Sequence, residues 1–210
     1  QAFQVLNGKY GFGSDSPARV VISGDVGSPS IQEALSSLES LMAADTGLQA
    51  PQVRIEPEVQ LAVLDAAIPG DPFAQTALTT IRRIRSELIP EAFSNVPSSA
   101  YVALVGGASA EIVDSVKVTD DYTPRVFAAV LSLSFVLLLV AFRSVVIPIA
   151  SIFMNLLSVG AAYGLVVLVF QKGFLIDVFG FQQVEQVEFW LPLFMFSILF
   201  GLSMDYHVFM

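Results

Sequence analysis

The sequence predicts an α+β extracytoplasmic domain of the ferredoxin-like, split βαβ class, followed by all-α transmembrane helices. Charge is uneven along the chain: residues 1–125 carry 8 Lys and Arg against 15 Asp and Glu, whereas residues 126–210 carry 2 and 4. The first part alternates between strand and helix patterns, and the second part consists of long apolar runs. We therefore expect a domain at 1–121 and three membrane helices within 122–210.

The first part contains five predicted elements with an order typical of one fold. They are a strand at 18–23, a helix from Ser28 or Ser30 to about Asp45, a strand or bent hairpin at 53–69, a helix at about 73–93 and a strand at 101–105. This order is that of the split βαβ unit. A basic cluster in the second helix, Arg82, Arg83 and Arg85, favours a solvated face over a binding site.

The second part predicts three membrane helices, at about 124–143, 145–170 and 188–210. The run 126–142 is uncharged and lies between Arg125 and Arg143. It is close to the shortest length that spans a bilayer, and flanking arginine side chains can extend to the interface. Gly160 and Gly164 form a GxxxG pair in the second helix, which predicts a face for helix packing.

The loops predict an orientation. The first turn carries Arg143, whereas the loop at 171–188 carries one lysine and three acidic residues. Positive residues favour the cytoplasmic side of a membrane. We therefore expect Arg143 in the cytoplasm, and both the first domain and the 171–188 loop outside.

A single carboxylate interrupts the last apolar helix. Residues 189–204 contain no charge, and Asp205 follows. A carboxylate at the centre of such a helix costs about 2.5–3.5 kcal/mol, and such residues usually face a bundle interior or a water-filled path for ions or protons. Trp190 suits the interface, and a rise of about 22 Å from there keeps Asp205 within the hydrocarbon layer. The alternative is a helix-end carboxylate that reaches water.

Small residues share a helix face with this carboxylate. Ser197, Gly201 and Asp205 are spaced four apart, so they lie on one side of an α-helix. Small side chains let a neighbouring membrane helix approach closely. We therefore expect this face to be a packed one.

Composition excludes several classes of function. An acidic soluble part argues against a nucleic-acid partner, because phosphate binding needs a basic face. There is no cysteine and one histidine, and the sequence shows no metal-ligand cluster, no Ser/His/Asp set and no nucleotide fingerprint. An enzyme is therefore not expected. Because the chain begins with Gln1 and ends within a predicted helix, we expect a fragment of a longer protein.

Two motifs resemble a known family. The segment GLSMDYHVF at 201–209 and the turn AFRSVVIP at 141–148 resemble the MmpL transporters of the RND superfamily. The resemblance implies export of lipids or other amphiphiles across a bacterial plasma membrane, driven by the proton gradient without another cofactor. It also implies that this chain holds the second porter domain and helices eight to ten.

The family resemblance assigns roles to two residues. It implies that Asp205 accepts the proton and that Tyr206 hydrogen-bonds to the matching aspartate of the other transporter half. That half, membrane lipids and an amphiphilic substrate are the implied partners. For His207 we favour a polar packing or lipid-interface role over proton transfer.

Two other functions remain open. The first is a non-transporting RND-like sensor of lipids or sterols, or a structural subunit, in which Asp205 is a packing residue. The second is an intramembrane aspartyl protease, which needs two catalytic aspartates and a Gly-x-Gly-Asp motif. Only one aspartate lies within a predicted span, and that motif does not occur, so the protease is disfavoured.

Overall fold

The computed structural model describes residues 17–174, 180, 183 and 187–208, with side chains as far as residue 202. The chain divides into two compact units, Gln1–Ser115 and Val116–Met210. Each unit is described by itself.

The first unit is built on a four-stranded antiparallel sheet. Its strands are β1 Ala18–Gly24, β2 Gln49–Glu56, β3 Leu61–Ala67 and β4 Tyr101–Gly106. Their order across the sheet is β2-β3-β1-β4, and every neighbouring pair is antiparallel. A helix, α1 (Pro29–Ala44), connects β1 to β2. A second helical segment connects β3 to β4.

The apolar run at 53–69 forms a hairpin. Strands β2 and β3 are joined by a 3₁₀ turn at Pro57–Val59. Gln60 closes the turn in the left-handed region, with φ of 54°. Strand β2 begins at Gln49, earlier than the sequence predicts, and its pairing with β3 shifts register between Gln49 and Gln52.

The hydrophobic core of this unit lies between the helices and one sheet face. Side chains of β1 and β3 alternate between buried and half-exposed, as expected for strands with one covered face. The same core includes apolar residues of α1 at helical spacing, namely Ile31, Leu35, Leu38 and Met42.

The helical segment between β3 and β4 has three parts. It comprises α2 (Gln75–Arg83), a π turn (Ile84–Leu88) and α3 (Ile89–Ala92). Arg82 is exposed, but Arg83 binds Asp45 and Arg85 binds Asp114. The prediction of a solvated basic face was therefore wrong for two of the three arginines, because acidic partners distant in sequence lie against them.

Three helices form the second unit. They are α4 (Ala108–Phe142), which begins in the first unit, α5 (Val146–Val166) with a π turn at Val167–Gln171, and α6 (Leu191–Val208). The predicted lead-in at 108–124 and the first span form one helix with Pro124 inside it. Of the described helices, α4 and α5 with its π turn are long and apolar enough to cross a membrane. Most of the predicted 171–188 loop lies outside the described residues.

Candidate functional site

The carboxylate singled out by the sequence lies in α6. The backbone of this helix is continuous from Leu191 to Val208, so Asp205 and Tyr206 have helical positions. Their side chains lie outside the described part of the structure. Helical register places Asp205 on the face that carries Ser197 and Gly201.

This small-residue face of α6 is open within the described chain. Ser197 and Gly201 are exposed, and Ser197 Oγ donates a hydrogen bond of 2.8 Å to the Leu193 carbonyl of its own helix. A Cβ atom added at Gly201 would meet nothing within 4 Å in the structure. The predicted packing role of Ser197 and Gly201 therefore requires a helix other than α4 and α5, and it stays a prediction.

The buried face of α6 is aromatic. Phe196 and Phe200 form a small core with Val159 of α5, and Phe127, Val130 and Leu131 of α4 pack against it. The Phe196 and Phe200 ring centroids are 5.1 Å apart. Each buried phenylalanine precedes a residue of the open face, so the two faces are about 100° apart around the helix. The aromatic face holds α6 against its neighbours, and Ser197 and Gly201 lie on a different side of the helix.

The GxxxG pair of α5 is also open. Gly160 and Gly164 are exposed, and a Cβ atom added at either would meet nothing within 4 Å in the structure. Val159, the residue before Gly160, belongs to the buried core with α6. The packing role predicted for Gly160 and Gly164 therefore also concerns a surface that the described helices leave uncovered.

Sequence reasoning missed a buried polar stripe on α5. Ser151 and Asn155 are 5% and 3% exposed and lie about two turns and one turn, respectively, before Val159 on the same face. Within the described residues, the Ser151 hydroxyl is buried without a hydrogen-bond partner. The spacing of four residues from Ser151 to Asn155 to Val159 was the available signal, because it defines one helical face. Polar side chains stabilise contacts between membrane helices when they hydrogen-bond across them.

Among the described residues, no group of three or more His, Cys, Asp and Glu side chains could hold a metal ion. The arrangement is instead that of a helical membrane unit with a carboxylate in one apolar helix, joined to an α/β domain. Such an arrangement defines a class of membrane protein with a large extramembrane domain.

The comparisons with known proteins identify the family within this class. The family model described as "MMPL family" matches residues 33–210. The chain therefore belongs to the MMPL family, whose characterised members are transporters.

Relatives of this chain are named for different cargoes. The chain is 35% identical over 208 residues to the mycolic acid-containing lipids exporter MmpL11 of Mycolicibacterium smegmatis, which covers 95% of this chain. It is 32% identical over 206 residues, again 95% of the chain, to the heme uptake protein MmpL11 of Mycobacterium tuberculosis. It is also 30% identical over 125 residues, 60% of the chain, to the trehalose monomycolate exporter MmpL3 of that species, of which it covers 13%.

The match extends over a small part of each relative. The chain spans 21% of the M. smegmatis MmpL11 and 20% of the M. tuberculosis MmpL11.

Proposed function

We propose that this chain is part of an exporter of lipids or other amphiphiles, driven by the proton-motive force, in a bacterial plasma membrane. Asp205 accepts and releases the transported proton, and Tyr206 positions the carboxylate of a second aspartate in the other half of the transporter. No cofactor other than the proton gradient takes part. Membership of the MMPL family supports the class.

The observation that carries the proposal is the register of Asp205. It lies on the side of α6 that carries Ser197 and Gly201, and neither α4 nor α5 covers those two residues in the described structure. A carboxylate directed at lipid would be costly, so this face requires a polar partner from another part of the transporter. A second Asp-Tyr pair in the missing half supplies such a partner.

Protonation at this position changes the packing of helices. A charged Asp205 favours an arrangement in which the carboxylate has polar or hydrated neighbours, and a neutral Asp205 tolerates a drier one. The two protonation states therefore favour different helix packings, which is the requirement for coupling a proton to a conformational change. The aromatic core around Phe196 keeps α6 joined to α4 and α5 through that change.

The proposal also assigns a fold, a location and a role to the first domain. Its strand order, β2-β3-β1-β4 with helices after β1 and β3, supports assignment to the ferredoxin-like, split βαβ class. We place this domain, residues 1–121, outside the cytoplasm and residues 122–210 in a multi-pass membrane region. In this arrangement the domain provides the path for the amphiphile.

The test is lipid transport by the full-length parent in proteoliposomes with an imposed pH gradient. Asp205→Asn keeps the size of the side chain and removes its titration, so transport should be lost while membrane insertion is unchanged. Glu188→Gln is the matched control, because Glu188 is exposed before α6 begins, and transport should persist.

Retained transport in Asp205→Asn would overturn the relay. A wild-type protein that binds lipid but shows no gradient-dependent transport would instead favour the non-transporting sensor.

A further inference from the structure

The first unit contains a cleft that the proton relay does not use. Its volume is about 460 Å³, which is within the range of roughly 300–1,000 Å³ for small-molecule sites. It lies between the residues that follow α1, the residues that follow β3 and one side of α2. The lining residues are Thr46, Gly47, Ile68, Pro69, Gln75, Thr76, Ala77, Thr79, Thr80 and Arg83.

A partly buried ion pair supplies Arg83 to the lining of the cleft. Arg83 Nε donates to Asp45 Oδ2 at 2.7 Å, and Arg83 Nη2 donates to Asp45 Oδ1. The Asp45 side chain is 8% exposed, whereas that of Arg83 is 33% exposed. In the described part of the chain Arg83 Nη1 makes no hydrogen bond, so it remains a donor available to the cleft.

Gly47 lets the backbone pack closely beside the Arg83–Asp45 pair. The N–H of Gly47 donates to Asp45 Oδ1 at 2.8 Å. A Cβ atom at Gly47 would lie 2.5 Å from Thr80 Oγ1 and 3.2 Å from Arg83 Nη2. A glycine here therefore keeps space free beside the guanidinium that any other residue would fill.

Four threonines provide hydroxyl groups to the rest of the lining. Thr76 and Thr79 are exposed residues on one side of α2, and Thr46 is exposed after α1. Thr80 is buried and donates to the Thr76 carbonyl at 3.0 Å. The apolar part of the lining comes from Ile68, Pro69 and Ala77. The cleft thus combines several neutral donors and acceptors with an apolar surface of similar extent.

The charge balance of the cleft favours a neutral ligand over an anionic one. Arg83 is the only charged lining residue, and its charge is balanced by the fork to Asp45. A phosphate would need an uncompensated cation, whereas a neutral polyol needs many hydroxyl partners and a guanidinium donor. We propose that this cleft binds a hydroxyl-rich, uncharged group such as a sugar ring.

This binding does not depend on the proton relay. Its interpretation as recognition of a polar headgroup of the transported amphiphile rests on the proposed function, but the binding itself needs no proton gradient. A failure of sugar binding would leave the Asp205 experiment unaffected, and loss of the relay would leave sugar binding intact.

The threonines of the chain provide the test. Four of them line the cleft, and the remaining two, Thr119 and Thr123, lie in α4. The chain is prepared in lipid nanodiscs with ¹³C-methyl threonine and titrated with methyl β-D-glucoside, and separately with inorganic phosphate. Increasing amounts of the glucoside should shift the methyl signals of the four cleft threonines until the shifts saturate. The methyl signals of Thr119 and Thr123 should not change. Phosphate should shift none.

Variants on the exposed side of α2 make the test specific. Thr79→Val keeps the shape of the side chain and removes its hydroxyl, so the glucoside affinity read from the Thr46 and Thr76 signals should fall about fivefold. Ser37→Ala, on the exposed side of α1, is the matched control and should not change the affinity.

Three results would overturn the proposal. These are a phosphate response as strong as the glucoside response, equal shifts at Thr119 and Thr123, or no glucoside response up to its solubility limit.

Discussion

The ring of Phe127 stacks on the ring of Phe196, with centroids 3.8 Å apart and planes 18° from parallel. This contact joins α4 to α6 in the second unit. Phe196 is 1% exposed and belongs to the core that also contains Phe200 and Val159. Large buried aromatic rings contribute through area and through ring geometry, so Phe196 is the principal packing residue of α6.

Removal of this ring should destabilise the helical unit. Phe196→Ala leaves a cavity among α4, α5 and α6 and should lower the free energy of unfolding by about 3–5 kcal/mol. Unfolding of the chain in bicelles with increasing denaturant measures the change. Phe153→Ala is the control, because Phe153 of α5 is 67% exposed, and its effect should be within about 0.5 kcal/mol of zero. Equal effects of both substitutions would contradict the assigned core.

The Arg83–Asp45 pair should be costly to break from one side. Arg83→Met leaves the Asp45 carboxylate, whose side chain is 8% exposed, without its ion-pair partner, which should destabilise the first unit by about 1–3 kcal/mol. The double substitution with Asp45→Asn should recover part of that loss, because the unpaired charge is gone. Denaturant unfolding followed by circular dichroism measures both. Arg82→Met, at the exposed neighbour, should have little effect, and a loss as large as that of Arg83→Met would rule out the pair as the cause.

The Arg85–Asp114 ion pair of the first unit should weaken at acidic pH. Hydrogen bonds from the Arg85 guanidinium hold the pKa of the Asp114 carboxyl below its ordinary value. Since Asp114 is bound as the carboxylate, the stabilisation is present above the unfolded pKa of about 3.9. It is lost as pH falls through the folded-state pKa. Arg85 Nη2 also donates to the Val105 carbonyl at 2.7 Å, so the pair positions the start of α4 against β4.

Acid unfolding tests this pair. Asp114→Asn should be less stable than wild type at neutral pH, and the difference should shrink as the pH falls below about 3.9. The effect should be modest, because the Asp114 side chain is 57% exposed. Glu111→Gln, one turn earlier on α4, is the control and should not reproduce this pattern. A difference that stays constant with pH would contradict the assigned role of Asp114.

The open glycine of α6 should behave differently in the chain and in the full-length parent. Gly201→Ala adds a methyl group where the described chain has free space. In this chain the better helix propensity of alanine should raise stability, by up to about 1 kcal/mol. In the parent the added methyl group should interfere with the proposed partner helix and reduce transport. A transport rate equal to that of wild type would show that no close contact forms there.

Secondary structure that depends on residues close together in the sequence could be predicted from the spacing of those residues. The spacing of Ile31, Leu35 and Leu38 predicts α1, and the helix is observed at Pro29–Ala44. The apolar run at 53–69 allowed a strand or a bent hairpin, and the hairpin forms because a 3₁₀ turn interrupts the run. The position of Asp205 in a helix was predicted from a charge within an apolar run, which is also a local signal.

Contacts between distant segments could not be predicted. The Arg83–Asp45 pair joins residues 38 positions apart, so the sequence showed a basic cluster without its partner. The cleft likewise combines threonines of α2 with Thr46 after α1. The buried stripe with Ser151 and Asn155 lies on a mostly apolar α5 helix, where the four-residue spacing defines a face but does not name the helix that packs against it.

The most direct test of the proposed coupling is proton uptake by proteoliposomes that contain the full-length parent and its lipid cargo. A pH-sensitive dye inside the vesicles reports protons that enter while lipid leaves. Wild type and Glu188→Gln should show uptake that depends on the presence of cargo, and Asp205→Asn should show none. Cargo-dependent uptake that persists in Asp205→Asn would contradict the assignment of this carboxylate as the proton carrier.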